Sequence, residues 1–451
     1  MLNPVLQKIL DAETSRQQNT LDLIASENFT SAAVREAVGS VFMHKYSEGY
    51  PGARYYEGNE NIDELENLCI EMVTKVFNLP SNWSANVQPL AGSNANLAVY
   101  NAILNPGDKI LSMYLPDGGH LSHGWSYTPT KDRSDKDIQD LASDKPYYGG
   151  STKISIVSKI FNVVQYKVAK DTSILDYSAI EQLAMQEKPK LIITGGTAYP
   201  REIDYKKMRE IADKVGAYYL ADIAHEAGLI AVGVLNSPIG IADVVTFTTH
   251  KTLRGPKGAV IAAKEEIIKL INKSIMPGLQ GGPHNGTIAG ITQALFEADT
   301  PEFKEYAAQV VENAKTLAGK LSELGYSLVS GGTDKHLILI DLTAKNLGGK
   351  FASYALNSAG IVTNKSTIPY ESQSPVNPSG IRLGTPLITT RGLKEAEMIK
   401  LANLIDSVIK EAATLPLDDF EFFKQQIDSS QAIKEVKEKV QQLCSQFPFK
   451  V

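Results

Sequence analysis

The sequence has few of the features that mark secreted, membrane or nucleic-acid-binding proteins. Of its 451 residues only Cys69 and Cys444 are cysteines, and their wide separation suggests neither a disulfide framework nor a cysteine-based metal site. Lys and Arg number 45 against 51 Asp and Glu, so the net charge of −6 leaves no basic excess for binding nucleic-acid phosphates. The N-terminal segment gains charge early, and no apolar run approaches the ~20 residues that span a bilayer. We therefore expect a cytoplasmic protein with no membrane or nucleic-acid partner.

The composition that is present is that of a globular protein, with 43% hydrophobic and 21% charged residues. Helical spacing at Asn61–Phe77 and Asn94–Leu104 alternates with short, continuous apolar runs. These runs predict strands at Val87–Leu90, Lys190–Thr194, Ala217–Ala221, Val244–Thr248 and Ala259–Ala262. Because the runs lack polar alternation, we predict a mostly parallel α/β sheet that is covered by helices on both faces.

The pattern changes after residue 292. A long amphipathic helix is predicted at Phe303–Gly325 and a strand at Leu337–Asp341, followed by helices at Gly392–Ala412 and Ala432–Phe447. This mixture indicates a smaller α+β domain. We therefore predict an N-terminal arm at residues 1–45, a large domain at 46–291 and a smaller C-terminal domain at 292–451.

Two residues near predicted strand ends suggest chemistry. Lys251 follows the strand Val244–Thr248 and is framed by hydroxyls and a histidine, as a Schiff-base lysine can be, although a surface lysine is the commoner case. Asp222 ends an earlier strand, where a buried carboxylate can pair with the ring nitrogen of a pyridine cofactor. The same acid could instead cap a helix or bind a metal.

Other segments suggest binding. Gly92 and Ser93 open a predicted helix, where backbone N–H groups can bind an anion, although an ordinary helix cap explains them equally well. Arg382 lies on a predicted strand and could grip a carboxylate, or could simply form a surface pair. The segment Tyr46–Tyr56 is rich in Tyr and Arg, which is typical of an interface. A phosphate cradle, an acid and a lysine, in this order along the chain, together favour pyridoxal phosphate.

Seven motifs extend the argument across nearly the whole chain. They are LIASENFTS, YSEGYPGARYY, LPDGGHLSHG, ADIAHEAG, TTHKTLRGPKG, PGLQGGPHN and SGIRLGTP. In this order and at these separations they resemble the serine hydroxymethyltransferase family. The resemblance implies the type I fold of pyridoxal-phosphate-dependent transferases, with a mostly parallel seven-stranded sheet in the large domain and a smaller α+β domain.

The resemblance also implies residue roles toward the cofactor. Lys251 would form the internal aldimine, Asp222 would pair with the pyridine nitrogen and His225 with the phenolic oxygen. His120 would lie over the ring, and Thr197 stands where the family commonly has Ser. Gly92 and Ser93 would hold the phosphate, and Thr248 and His250 would lie beside the lysine. The partner subunit's Tyr46 and the partner subunit's Gly282 would join the phosphate site.

For the substrates, the resemblance implies that Arg382 and Ser26 bind the carboxylate of serine or glycine, with Tyr56 reaching in from the partner subunit. Glu48, also from the partner, would be the proton-transfer acid/base. The residues implied for the pterin are Leu115, Tyr55, Asn364 and Glu48. A homodimer with shared active sites follows, and a pairing of two dimers into a tetramer is left open. Serine would give its hydroxymethyl carbon to tetrahydrofolate, leaving glycine and 5,10-methylenetetrahydrofolate.

The sequence departs from the family pattern in several places. Lys257 replaces an arginine, Met276 and Val376 replace phenylalanines near the pterin, and Ala91 and Glu57 replace a serine and a glycine. The polar segment 128–150 resembles an insertion and is predicted to be an exposed excursion.

Three alternative functions remain open at this stage. The first is a folate-independent aldolase acting on threonine-like β-hydroxy amino acids. The second is a zinc hydrolase using His120, His123 and a carboxylate, which is disfavoured because ligands at i and i+3 of a glycine-flanked loop are poorly placed. The third is an inert cofactor-binding protein. No metal is predicted.

Overall fold

The computed structural model describes residues 2–448, and of Thr130 it describes only the backbone. The helices of this part of the chain, α1 to α17 in order, are Pro4–Asn19, Ala32–Val38, Glu60–Val76, Gly92–Ile103, Asp135–Leu141, Ile156–Ile160, Tyr177–Glu187, Tyr205–Val215, Ala227–Ala231, Glu265–Lys273, Asn285–Ala298, Pro301–Glu323, Gly349–Ser358, Pro386–Thr390, Glu395–Ala413, Phe420–Ser429 and Gln431–Gln446. Shorter 3₁₀ turns include Leu115–Asp117 and Leu121–His123.

The strands of the same part of the chain, β1 to β17 in order, are Leu21–Asp22, Gly49–Tyr50, Ala53–Arg54, Trp83–Asn86, Lys109–Met113, Ser126–Tyr127, Thr152–Lys153, Asn162–Tyr166, Leu191–Thr194, Tyr218–Asp222, Val244–Thr248, Ala259–Lys264, Ser327–Leu328, Leu337–Asp341, Ile361–Val362, Asn364–Ser366 and Gly380–Gly384. Contacts divide the chain into a larger unit, Asn28–Ala308, and a smaller unit, Met1–Glu27 with Gln309–Val451. The domain boundaries after residues 45 and 291 stay a prediction.

The larger unit is built on a seven-stranded sheet with the order β4-β12-β11-β10-β9-β5-β8. Strands β11, β10, β9, β5 and β8 run parallel, and β12 is antiparallel to both of its neighbours. All residues of β9 and β11 are buried, which agrees with their continuous apolar runs and with a sheet covered on both faces. The predicted α/β fold class is confirmed.

One predicted strand is wrong. Residues 87–90 are not a strand, and the strand lies immediately before them at Trp83–Asn86. The backbone here bonds mainly to side chains: Gln88 N donates to Asn86 Oδ1 and Gln88 O accepts from Gln280 Nε2. Leu90 N donates to the side chain of Gln280 as well. A single backbone bond reaches β12, where Ala259 N donates to the carbonyl of Pro89 at 3.2 Å. The apolar run is therefore buried without forming a strand of the sheet.

The smaller unit contains a four-stranded antiparallel sheet with the order β13-β14-β17-β16. The first four residues of β14, Leu337–Ile340, are buried. Ile338 and Ile340 share one core with residues of α13, α15, α16 and α17. The N-terminal strand β1 pairs in parallel with β15. The guanidinium of Arg391 donates to the carbonyls of Gln17, Gln18 and Thr20 and so fixes the end of α1. This unit has the predicted α+β character.

Among the residues that the structure describes, no helix is both long enough and apolar enough to cross a membrane.

Candidate active site

The chemically important side chains of the larger unit follow the carboxyl ends of its parallel strands. Asp222 is the last residue of β10, and Thr248 is the last residue of β11. His225 and Lys251 each lie three residues beyond these ends, and Thr197 follows β9. Because carboxyl ends of neighbouring parallel strands meet at one edge of a sheet, this edge is where a ligand is expected to bind.

Asp222 is a buried charged group of this edge. Its Oδ2 accepts hydrogen bonds from Nδ2 of Asn96 at 2.8 Å and from Nε2 of His123 at 2.9 Å, and its Oδ1 accepts from Ala224 N at 3.0 Å. Burial alone would raise the pKa of Asp222, but the hydrogen bond and charge of His123, with His120 and Asn96, hold it well below its ordinary value. Asp222 is therefore an anion that can hold a proton on a ring nitrogen.

His120 lies beside this network as a neutral ring. Its Nδ1 is 2.7 Å from Oγ of Ser122, and its ring centroid is 5.7 Å from that of His123. Burial lowers the pKa of His120 to about 4, with a further contribution from His123. A flat, uncharged imidazole at neutral pH is suited to stacking on a heteroaromatic ring.

The N-terminus of α4 has the properties of a phosphate cradle. Its N-cap residue, Ala91, has no side chain that could accept from the first N–H groups of the helix. A Cβ added to Gly92 would lie 2.7 Å from Cγ2 of Thr248, so only glycine fits beside that strand end. Nδ1 of His250 is buried and has no hydrogen-bond partner among the described residues, which leaves it available to a ligand. Pyridoxal phosphate therefore fits the residues that are present.

Lys251 is buried, and its backbone is held by neighbours. Its carbonyl accepts from Nδ2 of Asn28 at 3.0 Å and from Arg254 N at 3.1 Å. The same Asn28 amide donates to the hydroxyl of Tyr306 at 2.7 Å. Burial, followed by the charge of Lys251, lowers the pKa of His250 to about 4. The hydrogen bonds from Asn28 and Arg254 fix the main chain at the lysine.

Thr197 and His225 also come together, since Oγ1 of Thr197 lies 3.2 Å from Nε2 of His225. Threonine can therefore supply the hydroxyl that serine is expected to supply in the family. At the end of the neighbouring strand, the hydroxyl of Thr248 donates to the carbonyl of Ala224.

A second cluster of predicted residues forms within the same chain. Oη of Tyr46 lies 3.5 Å from Oε1 of Glu48. A Cβ on Gly281 would lie 2.9 Å from Oε1 of Glu48, and one on Gly282 would lie 3.4 Å from Cε1 of Tyr46. The rings of Tyr46 and Tyr56 meet edge to face at 5.3 Å. The residues that the resemblance assigns to the partner's site are therefore neighbours of one another.

The smaller unit carries the predicted carboxylate ligand. Arg382 lies on β17, and its Nε donates to Oδ1 of Asn364 on β16 at 3.2 Å. Burial lowers the pKa of Arg382 to about 10, which leaves it charged at neutral pH. Ser26 lies in the turn that follows β1 of this unit.

Two residues of the Asp222 network were not predicted as site residues. Asn96 belongs to the motif that suggested a phosphate cradle, and His123 was considered only as a zinc ligand. Their contacts with Asp222 join residues 126 and 99 positions apart, so no local spacing could reveal them. No group of three or more metal-ligating side chains occurs in the described part of the chain, so the zinc hypothesis gains no support.

A mostly parallel α/β sheet with a lysine, an enclosed anion and an open helix N-terminus at its carboxyl edge defines a pyridoxal-phosphate-dependent enzyme of the type I fold. The comparison with known families is more specific. The model of the family "Serine hydroxymethyltransferase" matches residues 1–138 and 145–405. The chain belongs to the serine hydroxymethyltransferase family.

Two relatives carry the same name. A serine hydroxymethyltransferase of Desulfotalea psychrophila is 48% identical over 446 residues, which cover 99% of this chain and 94% of that protein. One of Methanosarcina barkeri is 46% identical over 447 residues, which cover 99% of this chain and 98% of that protein. Members of the family use pyridoxal phosphate, with tetrahydrofolate as co-substrate.

Proposed function

We propose that the protein reversibly transfers the hydroxymethyl carbon of serine to tetrahydrofolate, giving glycine and 5,10-methylenetetrahydrofolate. The observation that carries this proposal is Asp222, a buried carboxylate that His123 and Asn96 keep ionised at the same sheet edge as Lys251. Family membership supports the substrates, and it does not favour the folate-independent aldolase.

When bound, pyridoxal phosphate supplies a ring that accepts negative charge from the substrate's Cα. Lys251 provides the amine that holds the cofactor, and Asp222 keeps a proton on the ring nitrogen. Neutral His120 would be available to stack on the ring, and His225 with Thr197 would bond to the phenolic oxygen. The first N–H groups of α4 and the hydroxyl of Ser93 bind the phosphate, with His250 and Thr248 beside them.

The substrate is bound by its carboxylate. In this proposal the buried guanidinium of Arg382 binds that carboxylate, as arginine forks commonly do, and its contact with Asn364 helps to orient it. Ser26 adds a hydroxyl donor. Binding the carboxylate would hold the substrate in one orientation and so set the direction of serine's Cα–Cβ bond, the bond that is broken.

The second copy of the chain completes the site in this proposal. The partner subunit's Glu48 accepts and returns the proton as the one-carbon unit passes to the pterin, and the partner subunit's Tyr46, Tyr55, Tyr56 and Gly282 line the same side. Leu115 and Asn364 contact the pterin.

A homodimer is supported by exposed apolar surface in the larger unit. Tyr55 is 79% exposed, Val41 76% and Met43 61%, and all three lie in or near the segment that carries Glu48. A second copy covering these side chains would also bring Glu48 to its site. A tetramer and a cytoplasmic location stay predictions from the sequence.

The absorption spectrum tests this function. Purified protein mixed with pyridoxal phosphate should show a visible band that Lys251→Ala abolishes. Lys269→Ala, which changes an exposed lysine of the same unit, should keep the band. Glycine should change the spectrum, and tetrahydrofolate should change it further. A band that does not change when tetrahydrofolate is added would favour the aldolase. The absence of any band would contradict the enzyme proposal.

A further inference from the structure

The polar segment 128–150 is folded onto the edge of the large sheet. It contains α5, whose N-terminus is closed by a capping box between Ser134 and Asp137. The family model leaves residues 139–144, inside this segment, unmatched. Tyr147 exchanges two backbone hydrogen bonds of 2.8 Å with Gln165 of β8, the edge strand of the seven-stranded sheet. The segment therefore covers an edge that would otherwise present unpaired backbone groups.

The side chain of Tyr147 adds an aromatic contact. Its ring centroid lies 4.8 Å from that of Tyr114 and 5.9 Å from that of Trp125, and its hydroxyl donates to the carbonyl of Ser126 at 3.0 Å. Tyr114 is buried and directly precedes Leu115, which begins a 3₁₀ turn. Tyr147 therefore packs against the residue next to the predicted pterin contact.

Lys167 fastens the segment at a second point. It follows β8, and its Nζ donates to the carbonyls of Asp140, Leu141 and Ser143 at 3.0, 3.0 and 2.8 Å. These carbonyls lie at the C-terminal end of α5, where helix carbonyls lack partners within the helix. The same ammonium lies 5.4 Å from the centroid of the Tyr114 ring. One lysine thus connects the helix of the segment to Tyr114.

Strand β8 also holds together the two ends of the loop of residues 114–124. This loop carries Leu115 and His120. The buried amide of Gln165 donates to the carbonyl of Met113 at 3.1 Å and to that of Gly124 at 3.0 Å, at the two ends of this loop. Asp117, inside the loop, accepts from Val168 N at 2.9 Å. The loop is therefore fixed to β8 and to the residues after it, and the segment 128–150 holds this same edge.

From these contacts we propose that the segment 128–150 is a clamp that positions Leu115 for the pterin, with Tyr147 as its positioning residue. The proposal rests on the proposed function, because it assigns the pterin to Leu115. Removing the Tyr147 ring leaves Tyr114 without its closest aromatic neighbour, while Trp125 and the bonds of Gln165 remain. The residue next to Leu115 therefore loses packing, and Leu115 is held less firmly. The clamp acts on pterin affinity and leaves the cofactor groups around Asp222 unchanged.

Two measurements on Tyr147→Ala test the clamp, with Tyr148→Ala as the matched control. Tyr148 is the next residue, is 56% exposed and bonds through its hydroxyl to Glu187, away from the loop. Tyr147→Ala should raise the KM for tetrahydrofolate about tenfold, the order expected for a lost aromatic pair, while kcat and the KM for serine stay within twofold. Tyr147→Phe keeps the ring and should restore the KM. Tyr148→Ala should match the parent.

Hydrogen–deuterium exchange of the ligand-free protein gives the second readout. Tyr147→Ala should speed exchange in peptides covering residues 114–119, next to the lost contact, and should leave residues 120–124 with His120 and His123 unchanged; Tyr148→Ala should change neither. Unchanged exchange, an unchanged KM for tetrahydrofolate, or equal effects of both variants would each overturn the clamp. If the parent protein does not turn over serine with tetrahydrofolate, the proposed function and the pterin assignment are both wrong. If the parent turns over normally and the variants show no effect, only the clamp is wrong.

Discussion

Nε2 of His123 lies 2.9 Å from Oδ2 of Asp222, and both side chains are buried. The same oxygen accepts from Asn96, which in turn accepts from the hydroxyl of Thr246 at 2.7 Å. Two donors on one carboxylate oxygen favour the ionised form in a place where burial favours the neutral one. The charge that the cofactor needs is therefore produced by residues that do not themselves face the substrate in our proposal.

Asn96→Ala should weaken the binding of pyridoxal phosphate. The variant removes one hydrogen bond to a charged group, which contributes about 1.5–3 kcal/mol, so the Kd of the cofactor should rise about tenfold or more. Asn101→Ala is a control on the same helix, since its amide donates to Ser274 instead. Fluorescence titration of apoprotein measures both. Equal Kd values for the two variants would argue against a role of the Asn96 contact.

His120→Phe should make the stability of the ligand-free protein less sensitive to acid. The folded protein lowers the pKa of His120 from 6.5 to about 4, so between these values the unfolded chain binds a proton that the folded chain does not. Stability is therefore fully present above pH 6.5 and is lost as the pH falls toward 4. His250 behaves in the same way, so the variant reduces the loss without abolishing it.

Urea denaturation at a series of pH values checks this prediction. Above pH 7 the free energies of unfolding of parent and variant should differ by a constant, because the imidazole is neutral in both states. Below pH 7, the free energy of unfolding of the parent should fall more steeply with decreasing pH than that of the variant. Curves that stay parallel down to pH 4 would show that burial of His120 does not carry the effect.

Gly92→Ala should damage the phosphate cradle by steric conflict alone. The new Cβ would lie 2.7 Å from Cγ2 of Thr248, and forcing such a contact typically costs about 1–3 kcal/mol. The second substitution Thr248→Ser removes Cγ2 but keeps the hydroxyl that donates to Ala224. The double variant should therefore recover most of the lost stability and cofactor affinity, as thermal melts and cofactor titration would show. A double variant no better than Gly92→Ala would place the defect elsewhere.

Local patterns were sufficient to predict much of the fold. The continuous apolar runs at Leu191–Thr194 and Val244–Thr248 are buried strands, because only a strand covered on both faces needs side chains of this kind at every position. The strand predicted at Val87–Leu90 is misplaced, because burial and strand pairing are different properties. Here the side chains of Asn86 and Gln280 take most of the backbone hydrogen bonds, and one bond joins Pro89 to Ala259 of β12. Chain-distant contacts such as Asn96 with Asp222 carry no local signal, and this limits prediction of the site more than of the fold.

The segment that carries Tyr46 and Glu48 depends on a buried ion pair. Nη2 of Arg54 lies 2.7 Å from Oε2 of Glu66, and the two side chains are 4% and 2% exposed. Nη1 of Arg54 donates to the carbonyls of Ser47 and Gly49, on either side of Glu48. The arginine therefore joins the backbone around the proposed acid/base to α3.

Arg54→Ala should strongly destabilise the protein, because it leaves the charge of Glu66 buried without its partner. A second substitution can test this reason. Burial raises the pKa of Glu66, and the charge of Arg54 is the leading influence that opposes this rise. Leaving such a group buried without its cation costs about 3–5 kcal/mol. Glu66→Gln in the Arg54→Ala background removes the stranded charge and keeps an amide that can still bond to Gln88. The double variant should thus unfold at a higher urea concentration than Arg54→Ala. If the two unfold together, the loss comes from the other contacts of Arg54, its ion pair with Asp63 and its bonds to the carbonyls of Ser47 and Gly49, and the charge of Glu66 does not contribute.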